Sequence, residues 1–397
     1  MIKKIVGLLL LLILFFACKE EKEHEVIFTN RTVLVYMIAD NSLTGNVQAN
    51  IDSITSGFST SNEIGNLVIY VDEIGRPPIL FKYEKNSLGV VRERTIRTYP
   101  EQNSASKEVM SGVFREVFKQ YPADSYGLVL WSHGMGWIPS PQAIKSRWFG
   151  LDDSNYMDIP DLKVALQSAP RFDFILFDAC FMSDVEIAYE LRKSTKYLIA
   201  SPTEIWEFGQ PYQNSVSAMF TSDGDYTKIA RSYAKFYDGR RVVMGNNGEF
   251  FDYTGTIAVI DCDEMDNLAK ETHKVFVNHQ QELLNVRNKN VQRYDRYEYP
   301  YGPFVYDYYH FLQKIAPEDE LASVRAQLNK TIIYKYATDF FGDTSIGRPR
   351  LPIKYFSGLG TYIPQLSNPD WNAYYRNFEW FTASGWDKIT TFFPTKE

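Results

Sequence analysis

The chain carries an acid and a thiol close together at the end of one apolar segment. The segment runs from Arg171 to Cys180 and reads Arg-Phe-Asp-Phe-Ile-Leu-Phe-Asp-Ala-Cys. Its apolar centre predicts a β-strand that is buried on both faces. Asp178 and Cys180 stand where an open parallel α/β sheet binds its ligands, just beyond the carboxyl ends of the strands. We therefore take Cys180 as the candidate nucleophile.

An imidazole follows a second apolar strand. Tyr126 to Trp131 is another run of β-formers, and His133-Gly134 follows it after one serine. The stretch between the two strands has room for a loop and a crossover helix, so the strands can be parallel neighbours. A cysteine nucleophile needs an imidazole beside it, because the ring takes the thiol proton and returns it to the leaving amine. We expect the N–H groups of Gly134 and Cys180 to form an oxyanion hole.

Two carboxylates indicate the substrate. Asp178 and Cys180 are two positions apart on a strand, so they share a face and can border one cavity. A carboxylate beside a thiolate raises the thiol pKa, a conflict that disappears if Asp178 points into a neighbouring pocket. Glu204, after a predicted strand at residues 197–200, is a second candidate for this pocket, and Glu207 is the fallback. An acidic pocket without a compensating base selects Lys or Arg side chains.

Strands and helices alternate through the first 240 residues. Predicted strands lie at residues 31–39, 67–71, 126–131, 172–177 and 197–200, and a hairpin at 79–96. Predicted helices lie between them at residues 47–58, 105–120, 160–169 and 183–192, with another at 225–237. Asp40 or Ser42 is expected to cap the first helix. This alternation is typical of a mostly parallel sheet that helices cover on both faces.

The part of the chain after Arg240 is less regular and rich in aromatic residues. A stretch rich in Gly and Asn at residues 240–255 marks a soft boundary. Beyond it the patterns predict helices at 263–286, 306–315 and 319–337, and strands at 256–260 and 355–364. We divide the chain into a catalytic domain, residues 31–240, and a C-terminal region, residues 241–397, which either extends the sheet or forms a subdomain.

Composition excludes several classes of function. The chain has 397 residues, of which 45% are hydrophobic, enough for a large core. A net charge of −7 and the lack of a basic stripe argue against binding of nucleic acid. The three cysteines, at positions 18, 180 and 262, are too few for a disulfide framework.

The motifs as a set resemble those of the clostripain family of cysteine peptidases (family C11), which belongs to the clan of caspases, gingipains, legumains and separases. The resemblance rests on His133-Gly134 and Asp178-Ala179-Cys180. It covers residues 31–215, including Ala200-Ser201-Pro202-Thr203-Glu204 and Gly209-Gln210-Pro211-Tyr212. It implies a caspase-like three-layer α/β/α sandwich and a His133–Cys180 dyad. It also implies cleavage after Arg or Lys, with Asp178 in the S1 pocket.

The resemblance further implies activation by self-cleavage in the linker between the two strands, residues 136–160. Lys145 and Arg147 are the candidate cleavage positions. Residues 205–208, Ile-Trp-Glu-Phe, are bulkier than the Pro- and Gly-rich segment expected at the rim of S1. Some members of the family use calcium, for which Asp152-Asp153 and Asp261/Asp263 are the only loose candidates. The sequence therefore requires no cofactor, predicts no metal site and leaves calcium open.

The first residues predict export. Two lysines precede an apolar stretch, residues 6–16, which is too short to be a permanent membrane span. Phe15-Phe16-Ala17-Cys18 resembles a bacterial lipobox, which implies removal of residues 1–17 and lipidation of Cys18. Residues 18–30 would then form a polar tether, and Lys19 to Glu23 resembles a signal for surface export. We expect a lipoprotein of the cell envelope, exposed on the outer membrane; the alternative is an ordinary secretory signal.

The sequence thus predicts a lipid-anchored cysteine endopeptidase that acts on proteins or peptides with basic P1 residues. Two alternatives stay open. The first is a non-catalytic surface lipoprotein of the same fold that binds peptide or glycan through exposed aromatic residues of the C-terminal region. The second is a thiol hydrolase that acts on small amides, which would have an enclosed pocket instead of an open groove.

Overall fold

A large mixed sheet forms the centre of the molecule. The structure is a computed structural model and describes residues 29–62, 65–86, 89–137, 148–244, 249–286, 288–295, 304–342 and 350–393. Within them the sheet has nine strands: β1 (Thr29–Ala39), β2 (Asn66–Glu73), β3 (Ile79–Lys85), β4 (Val91–Thr98), β5 (Ala123–Trp131), β8 (Phe172–Asp178), β9 (Thr195–Ala200), β12 (Thr256–Asp261) and β14 (Ile332–Ala337). Their order is β14-β12-β9-β8-β5-β1-β2-β3-β4.

Four short ladders stand outside the sheet. They pair β6 (Trp148–Asp152) with β7 (Asn155–Asp158), β10 (Arg241–Met244) with β11 (Glu249–Asp252), β13 (Tyr306–Asp307) with β17 (Gly360–Thr361), and β15 (Phe340–Phe341) with β16 (Leu351–Pro352). The β6–β7 hairpin contacts the end of β1 and matters for the site.

The five central strands β9, β8, β5, β1 and β2 run parallel, and two antiparallel strands flank them on each side. The central strands are almost entirely buried, with residues 31–39 of β1 and 66–72 of β2 inaccessible to solvent or nearly so. Apolar residues on both faces of a strand require cover on both sides. The continuous apolar runs in the sequence therefore predict the centre of the sheet correctly.

Helices cover both faces. They are α1 (Val47–Thr60), α2 (Lys107–Gln120), α3 (Ile159–Leu166), α4 (Val185–Leu191), α5 (Tyr212–Met219), α6 (Thr227–Tyr237), α7 (Met265–Asn278), α8 (Gln280–Asn285), α9 (Tyr308–Leu312), α10 (Ala322–Thr331), α11 (Pro369–Tyr375) and α12 (Glu379–Ala383). Helices α1, α5 and α6 pack on one face, and the other nine contribute to the core on the opposite face. The predicted three-layer α/β/α sandwich is confirmed.

Helix starts depend on local capping. The side chain of Ser106 accepts a hydrogen bond from the Val109 N–H at the start of α2, and Asp158 does the same for α3. The expectation that Asp40 or Ser42 caps the first helix is wrong. Helix α1 begins only at Val47, after a short 3-10 turn, and Asn46 caps it without a side-chain hydrogen bond. Ser42 is thereby left for another contact.

The C-terminal region contributes to the same sheet, because β12 pairs with β9 and β14 pairs with β12. The helix predicted at 319–337 is wrong in its second half, since α10 ends at Thr331 and the chain continues directly into β14. The segment Ile332-Ile333-Tyr334 consists of β-formers, which favour a strand beside an exposed sheet edge. The strand expected at 355–364 is reduced to β17.

Most of the large aromatic residues described in the C-terminal region form core. Trp380, Trp386, Tyr306, Tyr308 and Tyr362 are among the largest side chains that are fully buried. They pack edge to face or at tilted angles with neighbouring rings, so these side chains stabilise the region and do not form an exposed binding surface. In the described part of the chain, none of the helices is sufficiently long and apolar to cross a membrane.

Candidate active site

The carboxyl ends of β5 and β8 bring the predicted site residues together. The two strands pair in parallel with Trp131 opposite Asp178, so the chain places His133 and Gly134 beside Cys180. A Cβ atom added to Gly134 would lie 2.5 Å from the Cys180 carbonyl oxygen and 3.2 Å from its nitrogen. Only glycine permits this approach of the two backbones. The close contact is the reason for the glycine after the histidine.

His133 is held from both sides. Its carbonyl oxygen accepts a hydrogen bond of 3.0 Å from the Gly150 N–H in the β6–β7 hairpin. Its Nε2 atom lies 2.8 Å from the Ser42 hydroxyl, at the end of β1. Burial lowers the pKa of the ring below its usual value, which favours the neutral imidazole at neutral pH. A neutral ring can accept a proton from a thiol.

Cys180 lies half-buried at a sharp turn. Its sulfur accepts a hydrogen bond from the Ile205 N–H at 3.3 Å and lies 3.8 Å from the Ile205 carbonyl oxygen. The next residue, Phe181, has a φ of 59°, a left-handed conformation that is uncommon for a bulky residue and that the surrounding structure must enforce. The Phe181 N–H donates to the Thr203 carbonyl at 3.1 Å. The segment after β9 therefore fixes both the thiol and the turn behind it.

Asp178 is buried with 5% of its surface exposed, and it faces the segment that follows Trp206. Its two oxygens accept hydrogen bonds from the Gln210 N–H at 3.0 and 3.1 Å, and the Tyr212 hydroxyl donates at 2.7 Å. Burial raises the pKa of this carboxyl to about 6, although the two donors act in the opposite direction. A Cβ on Gly209 would lie 2.4 Å from the carboxylate.

Glu204 and Glu207 lie in the same segment as these contacts. Glu204 is partly exposed and directly precedes Ile205, the residue that contacts the Cys180 sulfur. Glu207 is exposed. Asp178 thus contacts one end of residues 204–210 through Gln210, and Glu204 stands at the other end, next to the residue that contacts the thiol. Their contact with a substrate stays a prediction.

Three predicted sites fall outside the described residues. Lys145 and Arg147, the candidate cleavage positions, belong to this group, as does Cys18. The linker predicted at 136–160 is regular in its second part, because residues 148–158 form the β6–β7 hairpin and α3 starts at Ile159.

In the described part of the chain, no three His, Cys, Asp or Glu side chains lie close enough together to hold a metal ion. The Asp152 carboxylate accepts a hydrogen bond from the Ser104 N–H, inside the protein. The Asp263 carboxylate pairs with Arg171 at 2.5 Å, and Asp261 accepts from the Asp263 N–H. These candidates are thus engaged in contacts within the protein, and calcium binding stays a prediction.

Sequence reasoning missed two contacts of the site. Ser42 was interpreted as a helix cap, and Gly150 had no assigned role. The sequence did indicate Ser42, because it belongs to the polar residues 40–42 that directly follow the apolar strand β1. Strand β1 is the neighbour of β5, the strand that precedes His133. For Gly150 the sequence offered no comparable signal.

Comparison with known proteins identifies the family. The sequence profile of the clostripain family matches residues 35–391. Clostripain of Hathewaya histolytica is 23% identical over 442 aligned residues, which cover 91% of this chain and 80% of clostripain.

Solved structures agree with this. An inactive zymogen of a C11 protease from Parabacteroides distasonis is 36% identical, with a TM-score of 0.78 and coverage of 89% of this chain and 97% of that chain. A secreted C11 cysteine protease from Bacteroides thetaiotaomicron, in complex with an irreversible peptide inhibitor, is 35% identical, with a TM-score of 0.79 and coverage of 91% and 100%. The chain belongs to the clostripain family of cysteine proteases.

Proposed function

We propose that this member of the clostripain family cleaves peptide bonds after Arg or Lys with Cys180 as nucleophile and His133 as its base. The observation that carries the proposal is the backbone contact between Gly134 and Cys180. This contact joins the ends of two parallel strands. It therefore supports a site in which His133, the residue before Gly134, lies near the Cys180 thiol. Nucleophile and base on rigid strand ends are what acyl transfer requires.

The proposed reaction has two halves. The Cys180 sulfur attacks the scissile carbonyl carbon while His133 takes the thiol proton, and the N–H groups of Gly134 and Cys180 donate to the oxyanion. The C–N bond then breaks, His133 returns the proton to the leaving amine, and a thioester remains on Cys180. Water attacks the thioester with His133 again as base, which releases the acid and restores the thiol.

The preference for Arg or Lys rests on the buried Asp178 carboxylate and on Glu204. Asp178 lies two residues before the nucleophile, and the Gln210 N–H and the Tyr212 hydroxyl fix its orientation. A cationic side chain that enters beside it gains a charge-assisted hydrogen bond in a region of low dielectric constant. The ion pair also favours the ionised form of a carboxyl whose pKa burial raises to about 6.

The direct test uses fluorogenic peptides that end in Arg, Lys or Asp, with wild-type protein and the Cys180→Ala variant. We expect turnover of the Arg and Lys peptides by wild type only. Turnover restricted to peptides with other P1 residues would contradict the proposed role of Asp178 but would still support the Cys180–His133 dyad. Silence with every peptide, in the presence of reductant and calcium, would contradict the proposed catalysis by this chain.

Self-activation and membrane anchoring complete the proposal. We expect wild type, but not Cys180→Ala, to cut itself after Lys145 or Arg147, and mass spectrometry of the purified chain identifies the new termini. Lipidation of Cys18 predicts that cells fed an alkyne fatty acid label the wild-type chain and not Cys18→Ser. A secreted relative is known, so unlabelled protein in the medium would favour the ordinary secretory signal.

The non-catalytic alternative loses its support in the described residues. It required exposed aromatic clusters in the C-terminal region, where the large aromatic side chains are instead mostly buried. It also gives no reason for the close approach of Gly134 to Cys180.

A further inference from the structure

We propose that Ser42 is a positioning residue for His133, an inference that rests on the proposed function. The hydroxyl oxygen lies 2.8 Å from Nε2 of the ring, within the range of a direct hydrogen bond. One nitrogen of an imidazole base must face the nucleophile, and the partner of the other nitrogen decides which tautomer is present. With Ser42 at Nε2, the proposed proton transfer from the thiol uses the other nitrogen, Nδ1.

The tautomer follows from the direction of proton transfer. A base that accepts the thiol proton at Nδ1 must begin with its own proton on Nε2. The Nε2–H group then donates to the Ser42 oxygen, and the same hydrogen bond becomes stronger when the ring is an imidazolium. Ser42 thus orients the ring, selects the reactive tautomer and stabilises the charged form that the thiolate needs as its partner.

The turn that carries Ser42 is rigid. The Asn41 side chain donates to the Ile38 carbonyl at 3.0 Å and to the Leu151 carbonyl at 2.6 Å. Asn41 Oδ1 accepts from the Leu43 N–H at 2.8 Å, on the far side of Ser42. These contacts tie the end of β1 to the β6–β7 hairpin, which also holds the carbonyl of His133. The serine and the histidine therefore share one support.

Ser42 itself is exposed, although its neighbour Asn41 is buried. An exposed serine without a role in capping contributes little to stability, so its removal is expected to leave the fold intact. Removal of the hydroxyl can therefore separate a positioning role from a structural one. Among the described residues, the Ser42 hydroxyl contacts only His133.

The test measures alkylation of Cys180 by iodoacetamide across pH 5–9, in wild type, Ser42→Ala and Ser42→Thr. We expect Ser42→Ala to slow alkylation at pH 6–7 by about tenfold, the effect of one hydrogen bond to a charged group. The rise of the rate with pH should move to higher pH, because the thiolate loses part of its stabilised partner. Ser42→Thr retains a hydroxyl and should restore both. Ser56→Ala, another exposed serine, is the control.

The same variants in the peptide assay should show a lower kcat with little change in KM, since Ser42 acts through His133 and not on the substrate. An alkylation profile of Ser42→Ala that matches wild type would overturn the proposal. If the chain cleaved no peptide but alkylation still depended on Ser42, the positioning role of Ser42 would be supported. Only the proposed peptidase activity would then be contradicted.

A second observation carries a separate proposal about the substrate. We infer that Trp206 and Phe208, with Tyr253, form an apolar subsite for the side chain that precedes the basic residue. Trp206 stacks on Phe208 with ring centroids 5.7 Å apart, and Tyr253 packs against both at 5.2 and 5.3 Å. Phe208 is 40% exposed and Trp206 is partly exposed, whereas Tyr253 is buried behind them, so the rings of Trp206 and Phe208 are the ones that a substrate side chain can reach.

The position of this aromatic subsite assigns its occupant. Residues 205–209 contact the Cys180 sulfur through Ile205 at one end and the Asp178 carboxylate through Gly209 at the other. They therefore run from the scissile bond towards the pocket of the basic side chain, on the acyl side of the substrate. An extended peptide that places its basic residue on Asp178 would bring the preceding side chain over Trp206 and Phe208.

The test measures binding of the dipeptides acetyl-Phe-Arg and acetyl-Ser-Arg to Cys180→Ala protein by calorimetry, so that it does not depend on turnover. We expect the Phe peptide to bind about tenfold more tightly, the value of one buried aromatic contact. Phe208→Ala should abolish the difference, and Phe340→Ala, which removes an equally exposed phenylalanine elsewhere, should keep it. Equal binding of both peptides, or an unchanged preference in Phe208→Ala, would contradict the subsite. A third dipeptide, acetyl-Phe-Asp, that binds as tightly as acetyl-Phe-Arg would instead contradict the proposed acidic pocket.

Discussion

Two strands of the sheet end in nearly the same pattern, an apolar run followed by an aspartate and a cysteine, yet the two cysteines have opposite surroundings. Cys180 follows Asp178 after β8, is half-buried and accepts a hydrogen bond from the Ile205 N–H. Cys262 follows Asp261 after β12, and only 2% of its surface is exposed. Burial, with a smaller contribution from Asp261, raises the pKa of the Cys262 thiol far above its usual value.

The direction of the strand explains the difference. Strand β8 is parallel to β5, so the two strands end at the same edge of the sheet and Cys180 meets His133 there. Strand β12 is antiparallel to β9, with Asp261 opposite Tyr197, so Cys262 lies at the opposite edge of the sheet. A thiol at a strand end is therefore a candidate nucleophile only where the end is one of the carboxyl ends that the parallel strands share.

The largest expected effect distinguishes the two thiols. Cys180→Ala should lower peptidase activity by about 10³-fold or more, because the reaction loses its nucleophile. Cys262→Ala should leave kcat/KM within about twofold and lower the free energy of unfolding by about 1 kcal/mol, since it only removes a buried sulfur atom. Peptide hydrolysis and urea denaturation measure the two effects.

Iodoacetamide gives a second measurement of the same difference. It should label Cys180 in the folded chain and label Cys262 only after denaturation, as peptide mapping can show. Rapid labelling of Cys262 in the folded protein, or retained activity in Cys180→Ala, would remove the distinction between the two strand ends.

The next effect compares the two aspartates. Asp178→Asn should lower kcat/KM for Arg peptides by about 10- to 100-fold, the effect of losing one charge-assisted contact. Asp261→Asn should have no such effect, because that side chain caps a turn at the opposite edge by accepting from the Asp263 N–H. The matched measurement is the ratio of kcat/KM for Arg and Gln peptides in each variant.

The pKa of Asp178 adds a pH dependence to this prediction. Burial raises that pKa to about 6 in the free protein, so the carboxyl loses its charge as the pH falls through 6. The preference of wild type for Arg over Gln peptides should therefore decline below pH 6, whereas the residual preference of Asp178→Asn should be independent of pH. A wild-type preference that stays constant from pH 8 to pH 5 would argue against Asp178 as the charged group in the pocket.

The same comparison shows what the sequence could predict. Apolar runs such as residues 172–177 predicted the central strands and their ends, and with them the positions of His133 and Cys180 after two strand ends, because these are local properties. The direction of β12 was not local, since it depends on the path of the chain between α6 and β12. The contact of Ser42 with His133 and the start of β14 at Ile332 also depend on partners that are distant in sequence.

A third strand end makes the comparison sharper, because it has a buried acid and no thiol. Asp72 lies at the end of β2, on the same edge of the sheet as Asp178. One of its oxygens accepts a hydrogen bond of 2.5 Å from the Ser104 hydroxyl, and the other has no hydrogen-bond partner among the described residues. Burial raises the pKa of Asp72 to about 7 and that of nearby Asp152 to about 6.

These shifts predict the smallest of the effects, on stability. A carboxyl whose pKa is higher in the folded chain than in the unfolded chain binds its proton more tightly in the folded chain. Its contribution to stability is therefore complete below about pH 4 and is lost as the pH rises through the folded pKa. We expect the free energy of unfolding to fall between pH 5 and pH 8. Asp72→Asn should reduce this fall by roughly 1–2 kcal/mol, because an amide does not ionise.

Urea denaturation at pH 5, 6, 7 and 8 measures the effect in wild type, Asp72→Asn and Asp178→Asn. The Asp178 carboxyl has donors for both oxygens, so its ionised form is better accommodated and its variant should flatten the curve less. Since Asp72→Asn leaves Cys180, His133 and Asp178 in place, it should change the pH dependence of stability and not that of the Arg preference. A change in the Arg preference instead would mean that Asp72, and not only Asp178, acts on the substrate. The stability of one strand end and the chemistry of another would then be coupled along the edge of the sheet.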